Sequence, residues 1–208
     1  MPSPTRPYRG VSADDRRAVR RARLIEAGLE LLGERGWQGA TVRAVCAEAG
    51  LTERYFYESF AGRDELLAGI FDRVASEAAD GVLRAVEAAP HDARAKARAA
   101  IAAFVEMLTD DPRRARAMLL ESLSDAALRE RRAEAIRGFA RLVSEQAQSF
   151  YDDPIAADDA ELTALALVGG LAELLVGWLD GTIEVPRERL VDHCTELFVA
   201  AARVSTAR

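Results

Sequence analysis

The side chains of this chain that are best suited to binding chemistry are concentrated in residues 41–60, TVRAVCAEAGLTERYFYESF. Arg54 carries a guanidinium that can pair with phosphates or carboxylates, and Tyr55 and Tyr57 carry hydroxyl groups that can donate hydrogen bonds. The stretch contains no nucleophile with a neighbouring base and no metal-ligand spacing. These residue types therefore indicate recognition of a partner rather than catalysis.

Two short helices separated by a glycine are predicted to position these side chains. Thr41 is a suitable N-cap for a helix over 42–49, Gly50 supplies the positive φ that ends it, and Thr52 can cap a second helix over 53–58. Helices this short are marginal in isolation. Both must therefore pack on a preceding long helix.

The second short helix is predicted to have an inner and an outer face. Leu51, Phe56 and Phe60 face inward. The outer face then carries Glu53, Arg54, Tyr55, Tyr57 and Glu58. Such a surface on a short helix after a glycine turn is typical of a helix-turn-helix motif, which places its second helix in the major groove of DNA.

The charge of the chain is unevenly distributed. The net charge is −6, but residues 1–63 contain 11 arginines against 8 acidic residues, whereas residues 64–208 contain 17 basic against 26 acidic residues. A basic N-terminal third on an acidic body favours a polyanionic partner for that third. The alternative is a solvated helix face followed by an arginine-rich tail.

Composition and periodicity predict an all-α fold of about nine helices. Alanine, leucine, glutamate and arginine dominate, and no strand-like alternation longer than four residues occurs. The predicted helices cover residues 14–35, 42–49, 53–58, 64–88, 92–109, 112–123, 126–151, 158–179 and 186–204.

Residues 15–71 resemble the DNA-binding domain of the TetR family of transcriptional regulators. The resemblance rests on Gly36-Trp37, Thr41-Val42-Arg43, Ala49-Gly50-Leu51-Thr52, Tyr57-Glu58-Ser59-Phe60 and Arg63-Asp64-Glu65-Leu66-Leu67. The family usually has Lys in place of Arg63, and small residues in place of Tyr55. The resemblance implies a flexible arm over 1–12, a helix-turn-helix DNA-binding domain over 13–63, and an effector-binding and dimerisation domain over 64–208.

The resemblance also implies roles for individual residues in binding a double-stranded DNA operator. Thr41, Thr52, Tyr57 and Arg63 would hydrogen-bond phosphates, Arg43 and Arg54 would reach guanine edges, and Tyr55 would contact a thymine methyl group or a sugar. For each residue the alternative is a solvated surface position. Glu53 and Glu58 either read cytosine or pair with Arg54. Arg6 and Arg9 either enter a minor groove or belong to an inert tail.

The last two predicted helices carry more apolar surface than one small subunit can cover. Residues 162–179 approach the length of a membrane span and contain one charge, Glu173, but their glycines and flanking aspartates favour a buried helix. We therefore expect no membrane association and a homodimer formed by a four-helix bundle, an arrangement that the resemblance also implies. The predicted interface comprises Leu165, Val168, Leu171, Leu175, Leu190, Cys194, Leu197 and Phe198.

The helices between about residues 65 and 151 form the effector pocket if the resemblance holds. Its predicted lining comprises Phe104, Met107, Met118, Leu119, Phe139, Leu142 and Trp178. The alternative for each of these residues is a place in the hydrophobic core without contact to a ligand. These side chains favour an apolar or amphipathic small-molecule effector. The resemblance implies a ligand-responsive regulator of a palindromic operator, usually a repressor and sometimes an activator, with the helix over 64–88 as the lever.

Catalysis and a function that does not involve DNA are the two alternatives. His91 and His193 are the only histidines, and Cys46 and Cys194 are far apart in sequence, so no catalytic or metal-binding constellation is expected and neither cofactor nor metal is predicted. The thiols and the lack of a secretory signal favour the cytoplasm. A helical interaction module that kept the motif without binding DNA remains the second class of function.

Overall fold

The computed structural model describes residues 12–121, 126–148 and 157–205 and confirms the all-α prediction, with nine α-helices and no strand over those residues. The helices are α1 (Ala13–Gly39), α2 (Val42–Ala49), α3 (Glu53–Tyr57), α4 (Arg63–Ala88), α5 (Ala93–Asp110), α6 (Pro112–Ala115), α7 (Ala126–Gln148), α8 (Ala157–Leu179) and α9 (Arg187–Ser205). A π-helical turn, Arg116–Leu120, continues α6. Residues 1–11 of the predicted arm, with Arg6 and Arg9, and the predicted helix ends at Leu123 and Tyr151 lie outside the described residues.

The chain divides into two compact units, Met1–Asp72 and Arg73–Arg208. The division falls inside α4, after the boundary that was expected at residue 63. Each unit has its own buried apolar side chains, and the two are described separately below.

The ends of the first helix follow from local hydrogen bonding. Ser12 Oγ accepts from the Asp15 backbone N–H at 2.9 Å, while the Asp15 carboxylate accepts from the Ser12 N–H at 3.1 Å, which forms a capping box. The hydrogen bond with the Ser12 side chain lowers the pKa of Asp15 most, and the hydrogen bond with the Ser12 backbone lowers it further. Near the other end, Gly36 has a φ of 66°, so helical geometry is interrupted there, as the glycine at this position predicts.

The core of the first unit forms where α1 meets α2, α3 and the beginning of α4. Its fully buried side chains include Leu24, Leu32, Val45, Phe56, Phe60, Leu66 and Ile70. Gly28 of α1 leaves room for α4, because a Cβ at this position would be 2.8 Å from Ile70 Cδ1. This packing supports the two short helices, which could not fold alone.

The second unit is a helical bundle in which α5 packs on α9, and α8 packs on both α7 and α9. Arg98 and Asp192 form an ion pair at 3.1 Å between α5 and α9, and Arg132 pairs with Glu173 between α7 and α8. The Arg98–Asp192 pair is half-exposed and contributes little to stability. Apolar burial by Val105, Leu108, Leu128 and Leu175 holds the bundle together.

The most apolar helix of the second unit is only partly covered by its own chain. Among the described helices, Asp159–Leu179 alone is long and apolar enough to cross a membrane by length and composition, and 22% of its apolar window is buried. Leu162 is 66% exposed. The prediction that this helix is buried therefore requires a partner that covers it.

Candidate functional site

The first part of the candidate site is the turn between α2 and α3. Thr41 Oγ1 accepts from the Ala44 N–H at 3.2 Å, and Gly50 has a φ of 62°, so the predicted cap and the predicted turn are both confirmed. Thr52 precedes α3 in extended conformation and makes no side-chain capping hydrogen bond. The two threonines and Arg43 are exposed. Their polar groups therefore face solvent at the helix starts and along α2.

The short helix α3 has the two faces that its sequence predicts. Phe56 is fully buried, and its ring lies 5.7 Å from the ring of Phe60, which is 1% exposed. In contrast, Tyr55 is 37% exposed and Tyr57 is 58% exposed. The buried ring anchors a five-residue helix whose remaining side chains are left for a partner.

Glu58 connects the outer face of α3 to α1. Its Oε1 accepts from Arg54 Nε at 3.1 Å, and its Oε2 lies 3.6 Å from a terminal nitrogen of Arg20. The Arg20 guanidinium also lies over the Tyr55 ring, 4.6 Å from its centroid. Of the two roles considered for Glu58, pairing with Arg54 is the one present in this structure. The Arg54 side chain is nevertheless 83% exposed, so it can still reach a partner.

Two further arginines of the first unit bind the protein's own backbone. Arg23 donates to the Ala49 carbonyl at 2.6 Å and so supports the end of α2. Arg63 donates to the Trp37 carbonyl and its guanidinium lies 4.7 Å from the centroid of the Trp37 ring. Arg63 is half-buried, and its role as a phosphate contact stays a prediction.

Sequence reasoning left Arg20 between steering toward phosphates and simple solvation, and it gave Arg23 no role in the site, because their contacts depend on how α1 crosses the short helices. Periodicity alone could have placed them near the inner edge of α1, since Arg20 lies four residues and Arg23 one residue before buried Leu24. No local motif identifies their partners.

Both cysteines are buried and free thiols. Burial, followed by the nearby Glu53 carboxylate, raises the pKa of the Cys46 thiol, and burial raises the pKa of Cys194. Raised pKa values keep thiols neutral and poorly nucleophilic. Their chemistry therefore agrees with ordinary packed thiols.

The second part of the candidate site is a cavity of about 150 Å³ inside the second unit. Phe139 and Leu142, two residues of the predicted effector-pocket lining, also line this cavity. The other residues of that predicted lining are not among the described residues that line it: Phe104, Met107, Met118, Leu119 and Trp178.

The residues of the predicted lining that do not line this cavity have other surroundings. Phe104 packs behind Phe139, with ring centroids 5.3 Å apart. Met118 and Leu119 are buried in the π-helical turn, and the Trp178 indole donates to the Val185 carbonyl at 2.7 Å. The cavity lies beside the first half of α5, whereas Phe104 and Met107 belong to its second half.

The predicted dimer interface separates into buried and accessible residues. Leu171, Leu175, Leu190 and Cys194 are buried within the single chain, and their part in a dimer interface stays a prediction. Leu165 and Val168 are half-buried, Leu197 is 45% exposed, and Phe198 lines the cavity. A wide apolar stripe on a helix looks the same in the sequence whether the same chain or a second copy of the chain covers it.

Comparisons with known proteins agree with this arrangement of elements. Residues 24–70 match the family model of bacterial regulatory proteins, tetR family. No curated protein sequence matches the chain.

Several solved structures share the fold over most of the chain. The fatty acid degradation regulator FadR from Bacillus halodurans has a TM-score of 0.71 and 20% identity, covering 86% of this chain and 94% of its own. A TetR-like transcriptional regulator from Rhodococcus sp. RHA1 has a TM-score of 0.61 and 21% identity over 91% and 97% of the two chains. FadR from Bacillus subtilis in complex with stearoyl-CoA has a TM-score of 0.69 and 18% identity over 86% and 98%. Identities at this level show a common fold.

Proposed function

We propose that this chain is a DNA-binding transcriptional regulator of the TetR family, and specifically a repressor that binds a palindromic operator as a dimer and is released by a small effector. The observation that carries the proposal is the display of Arg54, Tyr55 and Tyr57 on the outside of α3 above buried Phe56. The helix is short, it is anchored by one buried ring, and it exposes a guanidinium and two phenol groups. These properties suit a helix that binds in the major groove.

Specific roles follow from the chemistry of the exposed groups. Thr41, Thr52 and Tyr57 carry hydroxyls that can hydrogen-bond phosphates and set the register of α3, and Arg63 would join them by leaving the Trp37 carbonyl. Arg43 and Arg54 can each donate two hydrogen bonds to guanine O6 and N7. Tyr55 can contact a thymine methyl group or a sugar. Arg54 must first exchange its bond to Glu58 for one to DNA.

A second copy of the chain is the proposed cover for α8. Leu162, Leu165, Val168 and Leu197 supply accessible apolar surface. Gly169 and Gly170 have no atom within 4 Å of an added Cβ, so their side of α8 has room for a close neighbour. A twofold dimer would place two copies of α3 at half-sites about one helical turn of DNA apart.

The cavity of the second unit is the proposed effector site. One protein of the same fold, FadR from Bacillus subtilis, was solved in complex with stearoyl-CoA, which supports a ligand-binding role for this chain. An effector acts by binding one conformation better than the other. Because α4 contributes residues to both units, movement of α4 is the proposed route from cavity to DNA. The buried free thiols suit a reducing cytoplasm.

A gel-shift titration of the full chain against its own promoter region tests the proposal. We expect tighter binding to that region than to a scrambled duplex of the same length, and an affinity that falls steeply as salt rises because phosphate contacts release counterions. Equal affinity for both duplexes, or no binding, would instead favour the helical interaction module. Transcription from the same promoter with and without the protein separates repression from activation.

A further inference from the structure

The cavity of the second unit is lined by two kinds of apolar side chain. Alanines recur at helical spacing on two of its walls, Ala93, Ala97 and Ala100 on α5 and Ala160 and Ala164 on α8. The larger valine, leucine and phenylalanine side chains of the lining come mainly from α4, α7 and α9. Space is therefore left where two of the five helices present methyl groups.

The lining offers no free ionic partner to a ligand. Among the described residues that line the cavity there is no carboxylate and no arginine, and the surface of the cavity is almost wholly apolar. Lys96 and Gln146 belong to the lining but have interactions of their own within the protein. The other polar residues of the described lining, Ser144 and Thr163, carry no charge. An ionised ligand would therefore lose its hydration in the cavity without gaining a counter-charge.

The cavity has room for a small molecule and a way in. Its volume is about 150 Å³, and it is partly open to the surface. Phe139, Leu142 and Phe198 line it and are only half-buried by the chain itself. An α-helix with its side chains is roughly 10 Å across, which is too wide for this space, whereas an engineered apolar cavity of roughly 150 Å³ binds benzene. The space therefore suits a molecule with one ring better than a segment of another chain.

From these observations we propose that the cavity binds an uncharged apolar molecule of about the size of one substituted benzene ring, and that the alanines of α5 and α8 determine how large it can be. The proposal rests on the proposed role of the cavity as the effector site and adds the chemical class of the effector. Removal of apolar surface from water drives the binding, and the ring of Phe139 supplies an aromatic contact.

Calorimetric titration of the full chain at pH 7, without DNA, tests the proposal with three probes of similar size. Ethylbenzene is uncharged, benzylammonium carries a positive charge and phenylacetate carries a negative charge. We expect ethylbenzene to bind at least tenfold more tightly than either ion, because neither ion finds a free partner in the lining. Ethylbenzene should also raise the Tm of the protein, since it binds the folded state.

Variants of α5 test whether the alanines make the space. Ala97→Leu should weaken the binding of ethylbenzene at least tenfold by filling the cavity. Ala93→Leu, at the beginning of the same helix, repeats the test if circular dichroism shows that the first variant does not fold. Ala99→Leu is the matched control, because Ala99 is also half-buried on α5 but is not among the described residues that line the cavity. It should bind ethylbenzene as the unaltered protein does.

The outcomes distinguish this inference from the proposed function. It would be overturned if ethylbenzene did not bind up to its solubility limit, if either ion bound as tightly, or if folded Ala97→Leu and Ala93→Leu proteins bound ethylbenzene as well as Ala99→Leu. A chain that binds ethylbenzene in this way but does not bind its promoter overturns only the proposed repressor. A chain that binds its promoter but not ethylbenzene overturns only the proposed ligand class.

Discussion

The guanidinium of Arg20, in α1, lies over the ring of Tyr55, in α3, at 4.6 Å from the ring centroid. The same guanidinium is 3.6 Å from the Glu58 carboxylate, which in turn accepts from Arg54. Arg20 therefore contacts Tyr55 and Glu58 directly, and it is linked to Arg54 through Glu58. Orientation of the proposed reading surface depends on a residue of the preceding long helix.

Replacing Arg20 should weaken operator binding without a large loss of stability. Arg20→Met keeps an apolar stem but removes a contact to Tyr55 worth about 0.5–1 kcal/mol at an accessible site, so we expect a roughly two- to fivefold higher Kd for the operator. Arg17→Met removes an exposed charge from the same helix and is the control. Equal losses in both variants would show that Arg20 acts only through net charge.

Glu58→Gln should make DNA binding stronger but less selective. Without the carboxylate, Arg54 is released to bind any phosphate, and one repulsive charge near DNA is lost. We expect the affinity for random duplex to rise more than the affinity for the operator, as measured by Kd values for both at several salt concentrations. Glu53→Gln removes a carboxylate from the same helix and serves for comparison. An unchanged ratio of the two Kd values in Glu58→Gln would contradict a role in selectivity.

Arg43→Ala and Tyr57→Ala should differ in how they change sequence preference. Loss of a guanidinium from a guanine edge costs about 1–3 kcal/mol and relaxes discrimination at one base pair. Loss of a phosphate contact through Tyr57 should weaken binding by a similar factor on every sequence. Kd values on a panel of operators with single base-pair changes measure both effects. Unaltered discrimination in Arg43→Ala would remove Arg43 from the base-reading residues.

Leu162→Glu should convert the proposed dimer into a monomer. Leu162 is 66% exposed on α8, and a carboxylate buried there by a second copy would cost about 2 kcal/mol or more. Sedimentation velocity measures the oligomeric state, and circular dichroism checks that helix content is retained. Val19→Glu, at a site 59% exposed on α1, is the control for oligomeric state. A Leu162→Glu protein that remains dimeric would place the interface elsewhere.

The cap of α6 should contribute a pH-dependent part of the stability. Asp111 accepts two hydrogen bonds of 2.8 Å from the Arg113 guanidinium, and this pairing lowers the pKa of its carboxyl from the ordinary 3.8. A lowered pKa in the folded state gives stability that is fully present above 3.8 and is lost as the pH falls through the folded value.

Asp111→Asn isolates this charge, because asparagine is also a good N-cap. We expect a loss of about 0.5–1 kcal/mol at pH 7, since the groups are partly screened by solvent, and a smaller difference from the unaltered protein below pH 3.8. Urea unfolding at a series of pH values measures it. A difference in the free energy of unfolding that stays constant down to the lowest pH measured would exclude the carboxylate charge as its cause.

Features set by neighbouring residues in the sequence were predictable, and features set by helix crossing were not. Thr41 and Gly50 act within one helix turn, so residue type alone predicted the cap and the turn. The contacts of Arg20 with Tyr55 and of Arg63 with Trp37 join residues at least 26 positions apart, which periodicity does not pair. Large side chains suggested the cavity lining, but alanines form much of the lining that the structure describes, and Met118 and Leu119 are buried in the core instead.

The separation of roles within α3 has a consequence for how this protein could change its target genes. Phe56 is the one buried residue of the five, whereas Arg54, Tyr55 and Tyr57 are exposed. Exchanges at positions 54, 55 and 57 would therefore change the proposed promoter preference while leaving the buried ring that anchors the helix in place.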